Sequence, residues 1–517
     1  MVTRITSFAL QGVEAYAVTV EVDVQNGLPQ FEVVGLPDAA VRESRERVRA
    51  AIRNAGLEFP PRRITVNLAP GDVRKAGPGF DLPIALAVLA ATEQIPAVID
   101  GVPPLERLGV AGELALDGTV RPVPGALAMA QAAGNLGLAG VLLPAADTAE
   151  AALARGPAVY TATRLDAVVA WLRGLAALYP AAFPRLEDLL GEPPVEDLAD
   201  VVGQPLARRA LEVAAAGGHN LLFIGPPGVG KSMLARRLPG ILPPLSWEEA
   251  LEVTKIYSAA GERPPGGLIT RRPCRQPHHS VSRSAMVGTI HRPGELALAH
   301  HGVLFIDELL ECGRDVLEAL RQPLEEGRVH IARAAGHVSY PARVMLVAAA
   351  NPCPCGLYGT PGGDCTCAQP VLTRYRARLS GPLLDRFDLQ LRMQRVEFAM
   401  LKGPPGEPSA PVAVRVALAR ERQRRRLGAG GRARCNAAME PGQVRRYCEL
   451  GTEADSIIAR AFNHLGLSVR AYERVLKVSR TIADLAGAEK IQPEHVAEAL
   501  QYREGPLAPG WGGVAAR

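Results

Sequence analysis

The chain has 517 residues, of which 48% are hydrophobic, so it is long enough for about three domains that each bury a core. Lysine and arginine exceed aspartate and glutamate by only 58 to 53, a formal net charge of +5, so any nucleic-acid binding must come from local basic patches. The chain shows no signal-peptide pattern and no run of about 18 apolar residues. We therefore expect a soluble cytoplasmic protein that has no membrane partner.

Residues 1–172 alternate strand-like and helix-like stretches, which predicts an α+β or α/β domain. Within it, KAGPGFDL at 75–82 opens an apolar helix, and GELALDGTVRP follows at 112–122. These segments resemble the Lon-protease fold, in which a serine nucleophile lies in a Gly-Pro-Ser-Ala-Gly turn and a lysine in a later helix. Here Gly79 replaces the serine, and ALAMA at 126–130 covers the position of the lysine. The resemblance implies a proteolytically inactive domain used for assembly or substrate contact; an unrelated α+β domain is the alternative.

Residues 221–232, LLFIGPPGVGKS, combine a buried apolar strand, a glycine-rich turn and the start of a helix. In such a turn the backbone N–H groups face an anion, and the helix N-terminus adds positive dipole. Lys231 is expected to contact the β- and γ-phosphates of ATP, and Ser232 to ligate Mg²⁺. A chance glycine-rich turn is the alternative, which the complete pattern disfavours. The predicted cofactor-binding residues are Gly225, Pro226, Pro227, Gly228, Val229, Gly230, Lys231, Ser232 and Asp307.

Two later apolar runs end in polar residues. GVLFIDE at 302–308 places Asp307 and Glu308 at the carboxyl end of a predicted parallel strand, where ligands bind in such sheets. Asp307 would hold Mg²⁺ through water, and Glu308 would orient the attacking water. An acidic helix N-terminus is the alternative. The second run, RVMLVAAA at 343–350, ends at Asn351, which taken alone would be a turn residue.

In this order the motifs resemble those of AAA+ ATPases. DVVGQ at 200–204 is similar to the segment that flanks the adenine, and Asn351 takes the position of sensor 1. SGPLLDRFD at 380–388 resembles the arginine-finger box, so Arg386 is expected to reach the active site of a neighbouring subunit. The alternative is local pairing of Arg386 with Asp385 or Asp388.

The last third of the chain is predicted to be helical, and one helix is expected to begin at Ser468. Arg470 matches the sensor 2 arginine of AAA+ lids. The resemblance places it over the γ-phosphate bound by its own subunit, with Arg474 and Arg480 as second choices.

Three further segments accompany these motifs: QPHHS at 276–280, PGELALAHH at 293–301 and NPCPCG at 351–356. Together they resemble the ComM/YifB family of Mg-chelatase-like AAA+ ATPases over nearly the whole chain. The resemblance implies a homo-oligomer that forms a hexameric ring and uses ATP and Mg²⁺ to drive helicase or branch-migration activity on single-stranded or branched DNA during natural transformation. The alternatives are a chelatase-type motor that remodels a protein partner, an ATP-dependent protease and a nucleotide-gated DNA clamp.

Two arginine-rich insertions are candidate DNA contacts. Residues 266–301 include Arg271 and Arg272, and residues 328–341 predict a hairpin with Arg333 near its tip. Phosphate contacts by these residues would be independent of DNA sequence and sensitive to salt; solvated polar loops are the alternative. For His278 and His279 we expect structural hydrogen bonds. Eight further arginines between residues 415 and 434 indicate either a solvated helical face or a surface for DNA or an adjacent subunit.

Eight cysteines are few for this length, and four of them form two Cys-x-Cys pairs nine residues apart. Cys353, Cys355, Cys365 and Cys367 would present four thiolates to one structural Zn²⁺, with no ligand position left open for catalysis. Because the usual knuckle has two intervening residues, four reduced cysteines in a loop are the alternative.

The predicted fold is α/β: a P-loop AAA+ core with a helical lid, preceded by a Lon-protease-like α+β domain that lacks the catalytic Ser/Lys pair. The predicted boundaries are 1–172 for the Lon-like domain, 173–197 for a linker, 198–395 for the AAA+ core with its insertions and cysteine loop, and 396–517 for the lid and tail. The predicted catalytic residues are Lys231, Glu308, Asn351, Arg386 and Arg470.

Overall fold

The computed structural model of the protein describes residues 2–71, 75–96, 103–184, 196–262, 266–333, 336–360, 364–397, 400, 403–428 and 434–503. The predicted C-terminal tail beyond 503 and residues 185–195 of the predicted linker lie outside the described residues. Within the described ranges, no helix has the length and apolar character required to cross a lipid bilayer.

The strands are β1 (Val2–Gln11), β2 (Glu14–Gln25), β3 (Gln30–Val34), β4 (Arg63–Ala69), β5 (Leu108–Val110), β6 (Glu113–Leu114), β7 (Val120–Arg121), β8 (Gly140–Pro144), β9 (Ala158–Ala162), β10 (Leu221–Ile224), β11 (Cys274–Arg275), β12 (Val303–Ile306), β13 (Arg328–Arg333), β14 (Gly336–Pro341), β15 (Met345–Ala350) and β16 (Leu389–Arg392).

The α-helices are α1 (Ala39–Arg42), α2 (Ser44–Asn54), α3 (Asp81–Ala91), α4 (Ala126–Asn135), α5 (Thr148–Ala151), α6 (Leu165–Leu172), α7 (Pro205–Gly217), α8 (Lys231–Arg237), α9 (Trp247–Ala259), α10 (Arg283–Val287), α11 (Glu295–Leu298), α12 (Arg314–Ala319), α13 (Arg321–Glu326), α14 (Gln369–Arg376), α15 (Gly381–Leu384), α16 (Ser409–Leu427), α17 (Pro441–Tyr447), α18 (Thr452–Leu465), α19 (Val469–Ala486) and α20 (Pro493–Gln501).

The N-terminal part is built on a seven-stranded mixed sheet with the order β3-β4-β2-β1-β5-β8-β9. Side chains alternate between the two faces of a strand, and in β2 the alternate residues Val18, Val20 and Val22 are completely buried. Helix α3 is apolar around its whole circumference and is buried along most of its length. This combination agrees with the predicted α+β or α/β class, while the likeness to Lon stays a prediction.

Gly79, which occupies the position predicted for the missing nucleophile, lies just before α3. A Cβ atom on Gly79 would lie 3.5 Å from Val123 Cγ1, and the residues from Ala126 to Ala130 in α4 are all buried. The neighbour of Gly79 at this distance is therefore an apolar side chain in ordinary van der Waals contact. Neither Gly79 nor the residues from Ala126 to Ala130 carry a hydroxyl or an amine, so these two positions provide no nucleophile and no base.

The central part contains a five-stranded parallel sheet with the order β11-β12-β15-β10-β16. Strands β10, β12 and β15 are buried at every position, because a parallel sheet covered on both faces requires continuous apolar runs. All five strands point the same way, so the residues that follow them meet at one edge and the residues that precede them meet at the other. We call these the carboxyl edge and the amino edge.

The C-terminal helices α16–α20 share one hydrophobic core with α7, and α16 and α19 pack directly onto α7. Helix α19 begins after Ser468, whose Oγ accepts a hydrogen bond from the N–H of Ala471 at 3.2 Å, so the predicted helix start is confirmed. Residues 328–341 form the predicted antiparallel hairpin β13–β14, in which Arg333 pairs with Gly336 next to the turn. Residues 334–335 of that turn lie outside the described residues.

The N-terminal part is attached to the central part through α9. The N–H of Gly125 donates to Ser258 Oγ at 2.7 Å, and Lys255 Nζ pairs with Glu14 at 3.1 Å. Ala250 joins the same hydrophobic cluster as Leu127. Both polar and apolar contacts therefore hold the N-terminal part against α9, the second helix after the phosphate loop.

Candidate active site

The predicted phosphate loop joins β10 to α8 at the carboxyl edge. Gly228 and Gly230 have φ angles of +80° and +93°, which only glycine adopts readily, so the glycines allow the turn. Lys231 is the first residue of α8, and its Nζ lies 2.5 Å from the Gly225 carbonyl, 3.0 Å from the Pro226 carbonyl and 2.9 Å from Asn351 Oδ1. The structure thus brings Lys231 and Asn351, predicted from separate segments, into direct contact.

Burial lowers the pKa of Lys231 to about 8, although the charges of Asp307 and Glu308 raise it. The ammonium group is bonded to three oxygen acceptors of its own chain, all at the loop. An arriving phosphate would supply charged acceptors at the same place. This arrangement suits a group that neutralises an anion.

Ser232 and Asp307 come together as expected for a magnesium site. Ser232 Oγ donates to Asp307 Oδ2 at 2.6 Å, which places a hydroxyl and a carboxylate side by side next to the phosphate loop. Oxygen ligands of this kind, completed by water and phosphate, are those that Mg²⁺ prefers. The residues present therefore fit the cation that the sequence predicts.

Glu308 has an unusual backbone conformation. Its φ is +50° and its ψ is +44°, a left-handed conformation that costs a residue with a side chain energy unless the surroundings impose it. The turn directs the chain away from β12 immediately after Asp307, whose Oδ1 accepts the N–H of Glu308 at 3.0 Å. Such conformations concentrate at functional sites.

His279 is the residue at this site whose contact the sequence did not reveal. Its Nδ1 lies 2.9 Å from Glu308 Oε2, and its ring stacks on His278 with the centroids 4.0 Å apart. The predicted structural role thus becomes a contact with the proposed water-orienting carboxylate. The signal was the position of QPHHS directly after β11, the neighbour of β12, but two residues are too few to recognise as a strand.

The four predicted zinc-binding cysteines also meet at the carboxyl edge, directly after Asn351. The sulfur atoms of Cys353, Cys355, Cys365 and Cys367 all lie within 4.8 Å of one another. The backbone N–H of Leu357 lowers the pKa of the Cys355 thiol to about 6. The four cysteines therefore cluster as a shared metal site requires, while the predicted zinc stays a prediction.

Arg386 lies at the amino edge. Its carbonyl accepts a hydrogen bond from Asn220 Nδ2 at 2.9 Å, and Asn220 immediately precedes β10. Four strand residues at roughly 3.3 Å each separate that edge from the phosphate loop by about 13 Å. The guanidinium pairs with Glu325 of α13 rather than with Asp385 or Asp388, so the local pairing considered from the sequence is not the one observed.

The positive charge of Arg470 acts on Arg386. Burial lowers the pKa of Arg386, and the positive charges of Arg474 and Arg470 lower it further. Arg474 Nη1 pairs with Asp388 Oδ1 at 3.1 Å, just before β16, which also fixes this part of α19 to the amino edge. The predicted contact of Arg470 with the γ-phosphate of its own chain stays a prediction, and the attachment of α19 to the amino edge makes the phosphate of a neighbouring chain its alternative.

The predicted DNA contact Arg272 is also corrected. Its guanidinium donates to the Pro243 carbonyl at 2.7 Å, to the His301 carbonyl at 2.7 Å and to Glu249 at 3.0 Å. With its donors used inside the chain, Arg272 fastens the insertion to α9. Arg271 and Arg333 are exposed, and their DNA contacts stay predictions.

The arginine-rich run after residue 415 serves the lid itself. Arg415 pairs with Glu212 at 2.6 Å, and Arg426 pairs with the buried Asp484 at 2.5 Å. Arg420 donates to the Ala215 carbonyl at 2.9 Å. These three side chains join α16 to α7 and α19. Arg424 and Arg425 are exposed and pair with Glu421 of the same helix, as the predicted solvated helical face requires. Residues 429–433 of the run lie outside the described residues.

Comparison with known proteins identifies the relatives of this chain. Models of magnesium chelatase subunit ChlI match residues 20–147 and 197–401, and the model of its C-terminal region matches residues 406–503. The uncharacterized protein YifB of Salmonella typhimurium is 46% identical over 499 residues, which cover 96% of each chain. The competence protein ComM of Haemophilus influenzae is 44% identical over 508 residues, again 96% of each chain. The DNA replication licensing factor mcm6 of Dictyostelium discoideum is 22% identical over 57% of this chain and 31% of its own.

The similarity to YifB and ComM extends over nearly the full length of all three chains, and the phosphate loop, Asp307 and Asn351 meet in this structure as the AAA+ motif order requires. The chain therefore belongs to the ComM/YifB family of magnesium-chelatase-like AAA+ ATPases.

Proposed function

We propose that the protein is a Mg²⁺-dependent ATPase that assembles as a hexameric ring and uses ATP hydrolysis to move along single-stranded or branched DNA in the cytoplasm. The observation that carries this proposal is the separation of Lys231 from Arg386 at opposite edges of one sheet. A chain with this arrangement can bind a nucleotide by itself, but it needs a second copy to bring Arg386 to the γ-phosphate. A closed ring repeats that contact between every pair of neighbours.

Within the carboxyl edge each side chain has a defined task. Lys231 neutralises the β- and γ-phosphates, and Asn351, already bonded to Lys231, is positioned to contact the γ-phosphate or the attacking water. Ser232 and Asp307 hold Mg²⁺, which when bound neutralises the charge that develops on the phosphate oxygens. Glu308 orients the water for in-line attack, and His279 holds the Glu308 carboxylate in place.

The amino edge supplies the neighbour's site. Arg386 stabilises the charge of the transition state in the adjacent subunit, as a finger supplied in trans does. Because Arg470 lies in the same charged group, we propose that it approaches the same neighbouring phosphate. The four cysteines hold a structural zinc, since their four sulfurs converge and leave no ligand position for water.

Work on DNA is supported by two observations of different kinds. A relative of nearly equal length is named a competence protein, and the distant match to mcm6 is to a DNA replication licensing factor. In the structure, Arg333 is exposed near the tip of the β13–β14 hairpin, where it could reach a phosphate backbone.

The deciding experiment measures the ATPase rate of the full chain without DNA, with single-stranded DNA and with forked DNA, each at about 50 and 200 mM salt. We expect DNA to stimulate hydrolysis, more strongly at the lower salt, because phosphate contacts release counterions. The absence of stimulation by any DNA would transfer support to a chelatase-type motor that remodels a protein partner, which the match to subunit ChlI favours.

A further inference from the structure

The four-cysteine cluster has the dimensions of a tetrahedral metal site. Cys353 Sγ lies 3.2 Å from Cys355 Sγ and 3.7 Å from Cys365 Sγ, and Cys355 Sγ lies 3.6 Å from Cys365 Sγ. Four sulfurs around one zinc, at about 2.3 Å each, are roughly 3.8 Å apart. The N–H of Tyr358 also donates to Cys353 Sγ at 3.3 Å, the kind of outer hydrogen bond that orients a metal-binding thiolate.

The cluster continues directly from the nucleotide site. Asn351 directly follows β15 and accepts the hydrogen bond of Lys231, and only Pro352 separates it from Cys353, which is completely buried. A movement of Cys353 will therefore also move Asn351, because only one residue lies between them in the backbone. The polar contact between Asn351 and Lys231 then transmits it to the first turn of α8.

The cysteine segment also touches the phosphate loop from the side. A Cβ atom on Gly356 would lie 2.7 Å from Pro227 Cδ, so the backbone after Cys355 rests on the middle of the loop. A small pocket separates the two segments further along. It is lined by Gly225 and Pro226 on one side and by Tyr358 and Thr360 on the other.

Little regular structure holds this segment in place. Residues 351–360 form neither helix nor strand. Two arginines contact the segment from outside: the Arg376 guanidinium lies 4.4 Å from the centre of the Tyr358 ring, and Arg392 of β16 donates to the Gly359 carbonyl. A cross-link among the four sulfurs would fix the remaining freedom of the loop, since closing a loop removes conformational entropy.

We propose that zinc bound by Cys353, Cys355, Cys365 and Cys367 braces the phosphate loop, so that ATP binding depends on the metal. Zinc fixes the backbone from Cys353 to Gly356, and that backbone supports Pro227 on one side and Asn351 on the other. The zinc is neither a substrate ligand nor a participant in hydrolysis. The proposal rests on the proposed ATPase function and adds a metal requirement at the level of nucleotide affinity.

The first test uses the full-length protein purified without added metal. Elemental analysis should find one zinc per chain. The dissociation constant of a fluorescent ATP analogue is then measured before zinc is removed with a chelator, after removal and dialysis into Mg²⁺, and after zinc is restored. We expect removal to weaken binding about tenfold or more and restoration to recover it, because a loop that must be ordered on binding loses affinity.

The second test uses matched cysteine variants. Cys365→Ser removes one ligand that is distant in sequence from Asn351, and Cys274→Ser changes an exposed cysteine outside the cluster. We expect Cys365→Ser to lose zinc and nucleotide affinity together, while Cys274→Ser keeps both. If Cys365→Ser fails to fold, the zinc removal and restoration cycle on the unaltered chain still decides the matter.

Three outcomes would overturn the proposal: a full-length protein without zinc, zinc that survives Cys365→Ser at one per chain, or nucleotide affinity that is unchanged when the zinc is removed. The last result would leave the ATPase proposal intact, because ATP would still bind. Failure of the zinc-loaded protein to bind ATP would instead contradict the proposed function, while the metal analysis would still report on the cysteine site.

Discussion

The two edges of the five-stranded sheet carry groups of opposite kinds. At the carboxyl edge, Lys231 is hydrogen-bonded to the phosphate loop and Ser232 is hydrogen-bonded to Asp307, all within one chain. A nucleotide could therefore bind there without further assembly. At the amino edge, Arg386 and Arg474 are held by acidic residues of their own chain, far from any phosphate site. The proposed function uses this difference: one chain would bind ATP, and hydrolysis would require Arg386 from a second chain.

The largest expected effect comes from inactivating the amino edge in one chain and the carboxyl edge in another, and then mixing the two variants. Arg386→Ala should lower the hydrolysis rate about 10³- to 10⁵-fold with ATP binding intact, as loss of a trans finger does. Lys231→Ala should abolish ATP binding. A mixture of the two variants should regain activity, because some interfaces then combine an intact loop with an intact Arg386.

The measurement is a titration of one inactive variant into the other, followed by the rate of phosphate release. Addition of unaltered chain to each variant serves as the control for subunit exchange. A mixture as inactive as its components, under conditions where exchange occurs, would contradict the assignment of Arg386 to a neighbouring site.

Glu308→Gln tests the chemistry of the carboxyl edge alone. We expect the hydrolysis rate to fall about 10²- to 10⁴-fold while ATP binding persists, because the amide cannot take a proton from water. Glu311→Gln is the matched control: it lies three residues away and pairs with Arg378 at the surface. Branch migration or unwinding that continued without hydrolysis would contradict the motor and favour a nucleotide-gated clamp.

Substitutions of Arg470 and Arg474 distinguish a catalytic role from a structural role at the amino edge. Arg470 is exposed, so Arg470→Ala should change the free energy of unfolding by less than about 0.5 kcal/mol and lower ATPase activity about tenfold. Arg474→Ala leaves the buried Asp388 without its guanidinium partner and should cost about 3 kcal/mol of stability. Urea unfolding and ATPase rates of both variants provide the comparison. Equal losses of stability would show that Arg470 is also a structural residue.

We expect the buried His300 to make the free energy of unfolding depend on pH under acidic conditions. It precedes β12, its Nδ1 accepts the N–H of Arg343 at 3.0 Å, its Nε2 bonds to Glu252 at 3.0 Å, and burial lowers its pKa to about 4. Between pH 6.5 and 4 the unfolded chain binds a proton at this histidine that the folded chain does not. The free energy of unfolding should therefore decrease as the pH falls through that window, by up to about 3 kcal/mol.

The check is urea unfolding at pH 7 and pH 5. His300→Gln should be less stable at pH 7 and show a smaller loss between the two pH values, whereas the exposed His291→Gln should keep the original slope. An unchanged slope in His300→Gln would assign the acid sensitivity to other groups.

The sequence predicted the carboxyl edge well because each of its parts is local. A strand, a glycine turn and a lysine lie within twelve consecutive residues, and Asp307, Glu308 and Asn351 directly follow apolar strands. The roles of the arginines were harder to predict, because the role of an arginine depends on the group that it pairs with, and that group is often distant in sequence. Arg272 uses Glu249 from a preceding helix, and Arg426 uses Asp484, 58 residues away.

Arg470 shows a second limit. Its motif was recognised, but the edge of the sheet at which a lid helix attaches depends on packing among α7, α16 and α19. No periodicity within α19 contains that information. The same holds for His279, whose partner is set by the pairing of a two-residue strand.

The ion pair between Glu325 and Arg386 has a consequence for the order of events. In the isolated chain the carboxylate of Glu325 pairs with the Arg386 guanidinium, so under the proposed role of Arg386 the docking of a neighbour would exchange that carboxylate for the neighbour's γ-phosphate. The exchange is more favourable when the incoming anion is ATP than when it is ADP. By thermodynamic reciprocity, the same free energy that makes ATP tighten the contact between subunits makes that contact raise the affinity for ATP.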